Sequence, residues 1–264
     1  MNMKNLAWFF MAIFCLAFQT VEYRMVSGLP LPSATFVTTD QIGNVYTVAE
    51  NQLLKFSPNG KPLQNFSDSK LGELRSIDAG NPMKLLLFYP DMARIIILGT
   101  QFSVQSSIEL RNIGIQQPTL ICNSMNEGYW IYDMQDFQLK KLDLNLQLQF
   151  QSGNLMQTTG KRLLPNFLLE ADHRVYLNDP LTGVMVFDQF GTYFKNIPIL
   201  GLRSFQIRGN ELLYINQGAL KAIDLKLMNE RDISIPASRG LKAARISERQ
   251  LYLLTNDSLN IYSY

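Results

Sequence analysis

The chain reads as all-β: a six-bladed β-propeller of four-stranded blades in which an N-terminal strand closes the last blade. Three observations predict this. Short strand-like runs separated by turn residues fill nearly the whole sequence, and they far outnumber the roughly seven strands of an immunoglobulin-like sandwich. They group into six units of about forty residues, the usual length of a propeller blade. The sixth unit, which begins at Ala243, holds three strands where the others hold four, whereas Val21–Val26 is a strand with no unit of its own. In a ring the surplus strand completes the short blade. The runs also lack the lipid-facing alternation, about ten residues long per strand, of a membrane barrel.

The first unit shows the pattern best. Val45, Thr47 and Ala49 alternate with Tyr46 and Val48, so successive side chains take opposite faces of a strand. Leu54 and Phe56 share one face of the next strand, which ends at Pro58-Asn59-Gly60. Asn-Gly is the pair that tolerates positive φ in a hairpin, so the chain doubles back there, and Leu63 and Phe66 carry the outgoing strand. Such a meander leaves a bare apolar face and open edges, which neighbours of the same kind must cover.

The second unit runs Arg75–Asp78, Met83–Tyr89, Ile95–Leu98 and Val104–Leu110. The third has Leu120–Asn123, Gly128–Asp133, Phe137–Leu144 and Leu148–Gln151, and the fourth Phe167–Glu170, Arg174–Leu177, Val184–Asp188 and Tyr193–Ile199. Phe205–Ile207, Glu211–Ile215, Ala219–Leu225 and Asp232–Ile235 form the fifth; Ala243–Ile246, Gln250–Leu254 and Leu259–Tyr264 form the sixth. Gly and Pro fall mostly between these runs, and no stretch reads as an interdomain linker. The two best helical stretches, Ser67–Leu74 and Ser238–Ala244, read as turns.

Residues 1–19 differ from the rest. Lys4 precedes an apolar run from Leu6 to Phe18, the length of a signal-peptide core and short of the roughly twenty residues that span a bilayer. This predicts a signal peptide or N-terminal anchor over 1–19 and one propeller domain over 20–264. Phe14 stands before Cys15 where a lipobox needs a small residue, which weighs against lipidation and leaves cleavage or a retained anchor. Without the leader, Cys122 is the sole cysteine, so no internal disulfide forms, and its apolar strand makes it a small buried hydrophobe. The 47% hydrophobic content argues for a large packed core, and a formal charge of +2 gives no footprint for nucleic acid or an anionic membrane.

Asp40, Gly43-Asn44-Val45-Tyr46, Leu54, Phe56 and Asn59-Gly60-Lys61 resemble the core of an NHL repeat, and Arg174–Leu177 with Val186-Phe187-Asp188 and Phe190-Gly191 is a weaker echo. The whole is similar to NHL-like and TolB-like six-bladed propellers of bacterial envelopes. That resemblance implies an exported, periplasmic or outer-membrane-associated protein, monomeric or part of an envelope complex. It also implies a non-enzymatic binding or scaffold role that engages a protein or glycan with one face of the disc.

Reaction chemistry is sparse. His173 is the only histidine and lies in a predicted turn, which leaves no His-based metal site and no catalytic residue to name; Gly160-Lys161-Arg162 lacks the spacing of a phosphate loop. No cofactor is expected. The alternative reading is a lactonase-like, metal-dependent hydrolase, by resemblance to propellers that hold a cation in the channel, with Asp78, Asn123 and Glu170 as the positions to inspect. Lys140-Lys141 and Lys161-Arg162 read as solvated charge. The binding reading points to the turns between the middle strands of blades two to four, with Tyr89, Asp91, Trp130, Asp133, Asp136, Asp179 and Thr182 as candidate partner-binding residues. Trp130 has a second reading, packing between blades.

Overall fold

In the computed structural model, which describes residues 21–264, six four-stranded antiparallel sheets form six blades. Blade one comprises β2 (Ala34–Thr39), β3 (Val45–Ala49), β4 (Gln52–Phe56) and β5 (Pro62–Phe66), and blade two β6 (Ser76–Asp78), β7 (Leu85–Tyr89), β8 (Arg94–Leu98) and β9 (Val104–Glu109). Blade three is built from β10 (Pro118–Asn123), β11 (Tyr129–Asp133), β12 (Gln138–Leu142) and β13 (Leu148–Gln151). In blade four the strands are β14 (Phe167–Ala171), β15 (Arg174–Asp179), β16 (Gly183–Asp188) and β17 (Tyr193–Ile197). Blade five holds β18 (Phe205–Arg208), β19 (Glu211–Asn216), β20 (Ala219–Asp224) and β21 (Glu230–Ile233). Blade six joins β22 (Ala243–Ser247), β23 (Gln250–Leu254) and β24 (Ser258–Ser263) to β1 (Arg24–Pro30).

The order in this last sheet is β1-β24-β23-β22, so the N-terminal strand is outermost in the blade that ends the chain, as the unequal units predicted. It lies further along than Val21–Val26, with Arg24 opposite Ser263 and Pro30 opposite Ser258. An edge strand accepts Gly28 and Pro30; inside a sheet the proline would remove a ladder hydrogen bond and the glycine would weaken the strand. Strand β2 has no clear mark in the sequence pattern, because its register shifts between Ala34 and Phe36 and interrupts the alternation. The leader, residues 1–19, lies outside the described residues. Among the described residues no helix is long and apolar enough to cross a membrane.

The core is a ring of six apolar clusters, one at each seam between blades. Period-two alternation feeds two seams from one strand. In β23, Tyr252 and Leu254 pack against blade one while Leu251 and Leu253 pack against blade five. Likewise Trp130 and Tyr132 of β11 face blade four, and Tyr129 and Ile131 face blade two. Both faces of each blade are therefore covered, and β3, β7 and β11 are buried along their whole length. The outer strands β9 and β13 are largely exposed.

The motif of blade one is turn chemistry. Asp40 Oδ1 accepts from the backbone N–H groups of Ile42 and Asn44 at 3.0 and 2.8 Å, and Oδ2 accepts from Asn44 Nδ2 at 2.9 Å and Tyr46 Oη at 2.8 Å. Burial, and then the bond to Asp40, raises the Tyr46 phenol above its ordinary pKa. Gly60 turns the β4–β5 hairpin at φ +83°, as Asn59-Gly60 predicted. Ser67–Leu74 contributes one 3-10 turn, Ser69–Leu71, and a short α-helix, α1 (Leu155–Thr159), capped by Asn154, follows β13.

Candidate functional site

Strands alternate in direction within each blade, so the turns between the two middle strands and the connections between blades share one face of the disc, here the upper face. The innermost strands β2, β6, β10, β14, β18 and β22 surround a channel that holds an open cavity of about 500 Å³, lined by residues of all six blades. Arg75 and Arg203 stand exposed at its upper mouth and Arg245 is buried in its wall. A second hollow of about 340 Å³ adjoins it on the upper face, sharing Glu73, Arg75 and Asn166 and reaching outward to Pro90, Asp91 and Met134. The two hollows thus lie side by side, one at the middle-strand turns of blades two and three and the other in the channel.

Polar side chains of the inner strands mostly tie neighbouring blades together. Asp78 Oδ2 accepts from Asn123 N at 2.8 Å, and Oδ1 from Gly80 N at 2.8 Å. Glu170 Oε2 accepts from Met125 N at 3.0 Å and Trp130 Nε1 at 2.9 Å. Gln206 spans the seam from blade five to blade six, donating to Ile246 O at 2.7 Å and accepting from Ile246 N at 2.9 Å. Both oxygens of Asp78 are thus engaged by N–H donors, whereas Glu170 meets its two donors with Oε2 alone and keeps Oε1 buried without a partner. Among the described residues no three of His, Cys, Asp and Glu are grouped so as to hold a cation. Cys122 is buried beside them; burial, then the charges of Asp78 and Glu170, push its thiol well above the ordinary value, so it packs as a hydrophobe. His173 sits exposed in the β14–β15 turn, on the lower face.

The seven positions the sequence offers as candidates for partner binding divide by burial. Tyr89 lies in the seam between blades one and two, and burial raises its phenol to about 12. Trp130 fills the seam between blades three and four. Asp133 is 1% exposed and Asp179 2%. Asp133 Oδ1 accepts from Gln117 N at 3.1 Å and its Oδ2 from Lys140 Nζ at 2.9 Å. Asp179 Oδ2 accepts from Leu164 N at 2.6 Å and Oδ1 from Leu181 N at 2.9 Å, which fixes the turn that carries Thr182. Asp91 and Asp136 are exposed and Thr182 half-buried on the upper face, and Asp91 borders the second hollow.

Lys140 and Lys141, expected in solvent, are both buried. Asp133 and Asp136 hold Lys140 from one side, whereas the Lys141 ammonium lies 5.7 Å from the Trp130 ring centroid and 5.9 Å from that of Phe150. Lys161 and Arg162 are exposed as expected. Arg245 is absent from the candidates that residue type and turn position suggest, and the sequence signal for it is a lone arginine in the apolar run Ala243–Ile246.

Solved structures share this architecture. A catalytically inactive virginiamycin B lyase from Staphylococcus aureus, with quinupristin, matches at a TM-score of 0.66 and 10% identity over 92% of this chain and 100% of that one. The Neurospora crassa Pan2 WD40 domain matches at 0.58 and 12% over 91% and 95%. The extracellular domain of BT4673, a one-component system protein of B. thetaiotaomicron, matches at 0.56 and 12%, over 88% of this chain and 33% of that one. The fold is a β-propeller. At these identities the likeness extends to the fold alone. No family model matches the chain, and no curated protein matches it.

Proposed function

We propose that this chain is an exported, non-enzymatic propeller of the NHL-like or TolB-like kind that binds a protein or glycan partner in the cell envelope through its upper face. The observation that carries this reading is the pair of adjoining hollows that reach from Asp91 and Met134 to the channel mouth and share Glu73, Arg75 and Asn166. It offers an extended ligand a track with carboxylate, guanidinium, amide and apolar groups in turn, the mixture that recognition surfaces use. The Asp40 turn with its Gly43-Asn44 step supports the NHL-like assignment, and the apolar leader supports export.

The test is capture of partners from envelope extract and binding to a glycan array, comparing the protein with an Asp91→Arg, Met134→Ala double variant. A partner recovered by the unaltered protein and lost by the variant supports the reading. Recovery that is indifferent to the variant, or no recovery of any protein or glycan, overturns it.

A further inference from the structure

We propose that the channel is a receptor for a small organic oxyanion, a carboxylate or phosphate, with Arg245 as its anchor. Arg245 is 6% exposed and lies on the innermost strand of blade six, yet it lines the central cavity. Of its five N–H donors, one is used among the described residues: Nη1 donates to Ala244 O at 3.0 Å. No carboxylate among them pairs with it. The guanidinium carbon lies 6.0 Å from the centroid of the Phe36 ring, which covers one side and supplies no charge.

A buried guanidinium without a counter-ion is unfavourable, and other inner strands carry apolar residues at the channel, as at Ile77, Ile121 and Ile207. Burial lowers the group's pKa to about 10, so it keeps its proton at neutral pH and the charge stands. The unused donors of a planar fork match the two oxygens of a carboxylate or phosphate.

The surroundings fit such a ligand. Arg75 and Arg203 at the mouth add positive potential that draws an anion inward. Of the two lining acids, Asp78 has both oxygens engaged by N–H donors, and Glu73 lies exposed at the rim. Half-buried Phe167, Leu169 and Ile207 provide walls for an apolar body, and the cavity of about 500 Å³ is in the range of small-molecule pockets. This site is independent of partner capture, since a propeller that recovers no macromolecule can still hold the anion.

Calorimetric titration of the purified protein with benzoate and with inorganic phosphate at low ionic strength tests it. Saturable one-to-one binding of at least one probe is expected, and which one binds distinguishes a carboxylate from a phosphate ligand. Arg245→Met and Arg245→Gln should each weaken that binding about tenfold or more, the Gln variant keeping a donor and losing the charge. Failure of both probes to saturate, or wild-type affinity in either folded variant, overturns the proposal.

Discussion

Trp130 donates its indole N–H to Glu170 across the seam between blades three and four, from the second strand of one blade to the innermost strand of the next. Both residues are buried, so this bond is read against a low-dielectric core rather than water. Replacing Glu170 with Ala strands the indole N–H and the Met125 N–H together and should lower unfolding free energy by about 3 kcal/mol. Glu170→Gln, which keeps an acceptor, should lose less. Urea unfolding of the two variants checks the order, and equal losses would show that the seam does not depend on the acceptor.

Lys140 gives a pH dependence of defined sign. Burial opposes its charge, but hydrogen bonds to Asp136 and Asp133 outweigh that and raise its pKa above the ordinary 10.5. A raised folded value means that the stabilisation is complete below about pH 10.5 and is lost as pH climbs through the folded pKa. Lys140→Met leaves Asp133 buried without its cation and should destabilise by about 3 kcal/mol. Melting curves from pH 7 to 11 should converge for the two proteins at the alkaline end. Parallel curves would refute the linkage.

Asp40 organises its turn through four donors, two of them on the side chains of Asn44 and Tyr46. Asp40→Ala should therefore destabilise by about 2–4 kcal/mol, much more than a typical surface change. Asp40→Asn should recover part of this, and the pair of melting temperatures measures it.

Gly128 is the most sterically constrained glycine. It holds φ +79°, and a Cβ there would overlap the carbonyl oxygen of Leu142 on the adjacent strand. Gly128→Ala should destabilise by about 3 kcal/mol, combining strain with displacement of β12. Gly218 has a similar φ of +77° but open space around it, so Gly218→Ala should lose only about 1 kcal/mol. The difference between the two variants isolates the clash.

Much of the architecture was legible because strand alternation and turn residues are local. Val45–Ala49 and the Asn59-Gly60 hairpin carry their geometry within a few residues, and the unequal end units carried the ring closure. What stayed hidden depends on where the blades meet. Lys140 and Lys141 look like any surface pair until Asp133, Asp136 and Trp130 are brought around them. Tyr89, Trp130, Asp133 and Asp179 sit beside turns in sequence, but their side chains point into seams or back at the backbone, and period two does not say how far a seam extends. Arg245 needed the channel itself: its meaning lies in the lack of a partner on five other blades.

Removing β1 should be the most damaging change of all. Without residues 24–30, β24 becomes a bare edge that carries Leu259 and Ile261, and the truncated chain should lose cooperative unfolding and associate. Calorimetry and light scattering check this; a monomer with an unchanged melting transition would contradict it.

The same strand sets an order in time. Arg24 pairs with Ser263, so β1 has no sheet to join until blade six has been made. The middle blades form from contacts local in sequence, but the last blade waits on a contact of very high sequence separation, the slowest kind to form. During synthesis β1 therefore stays single and available, and the ring locks only once blade six is made.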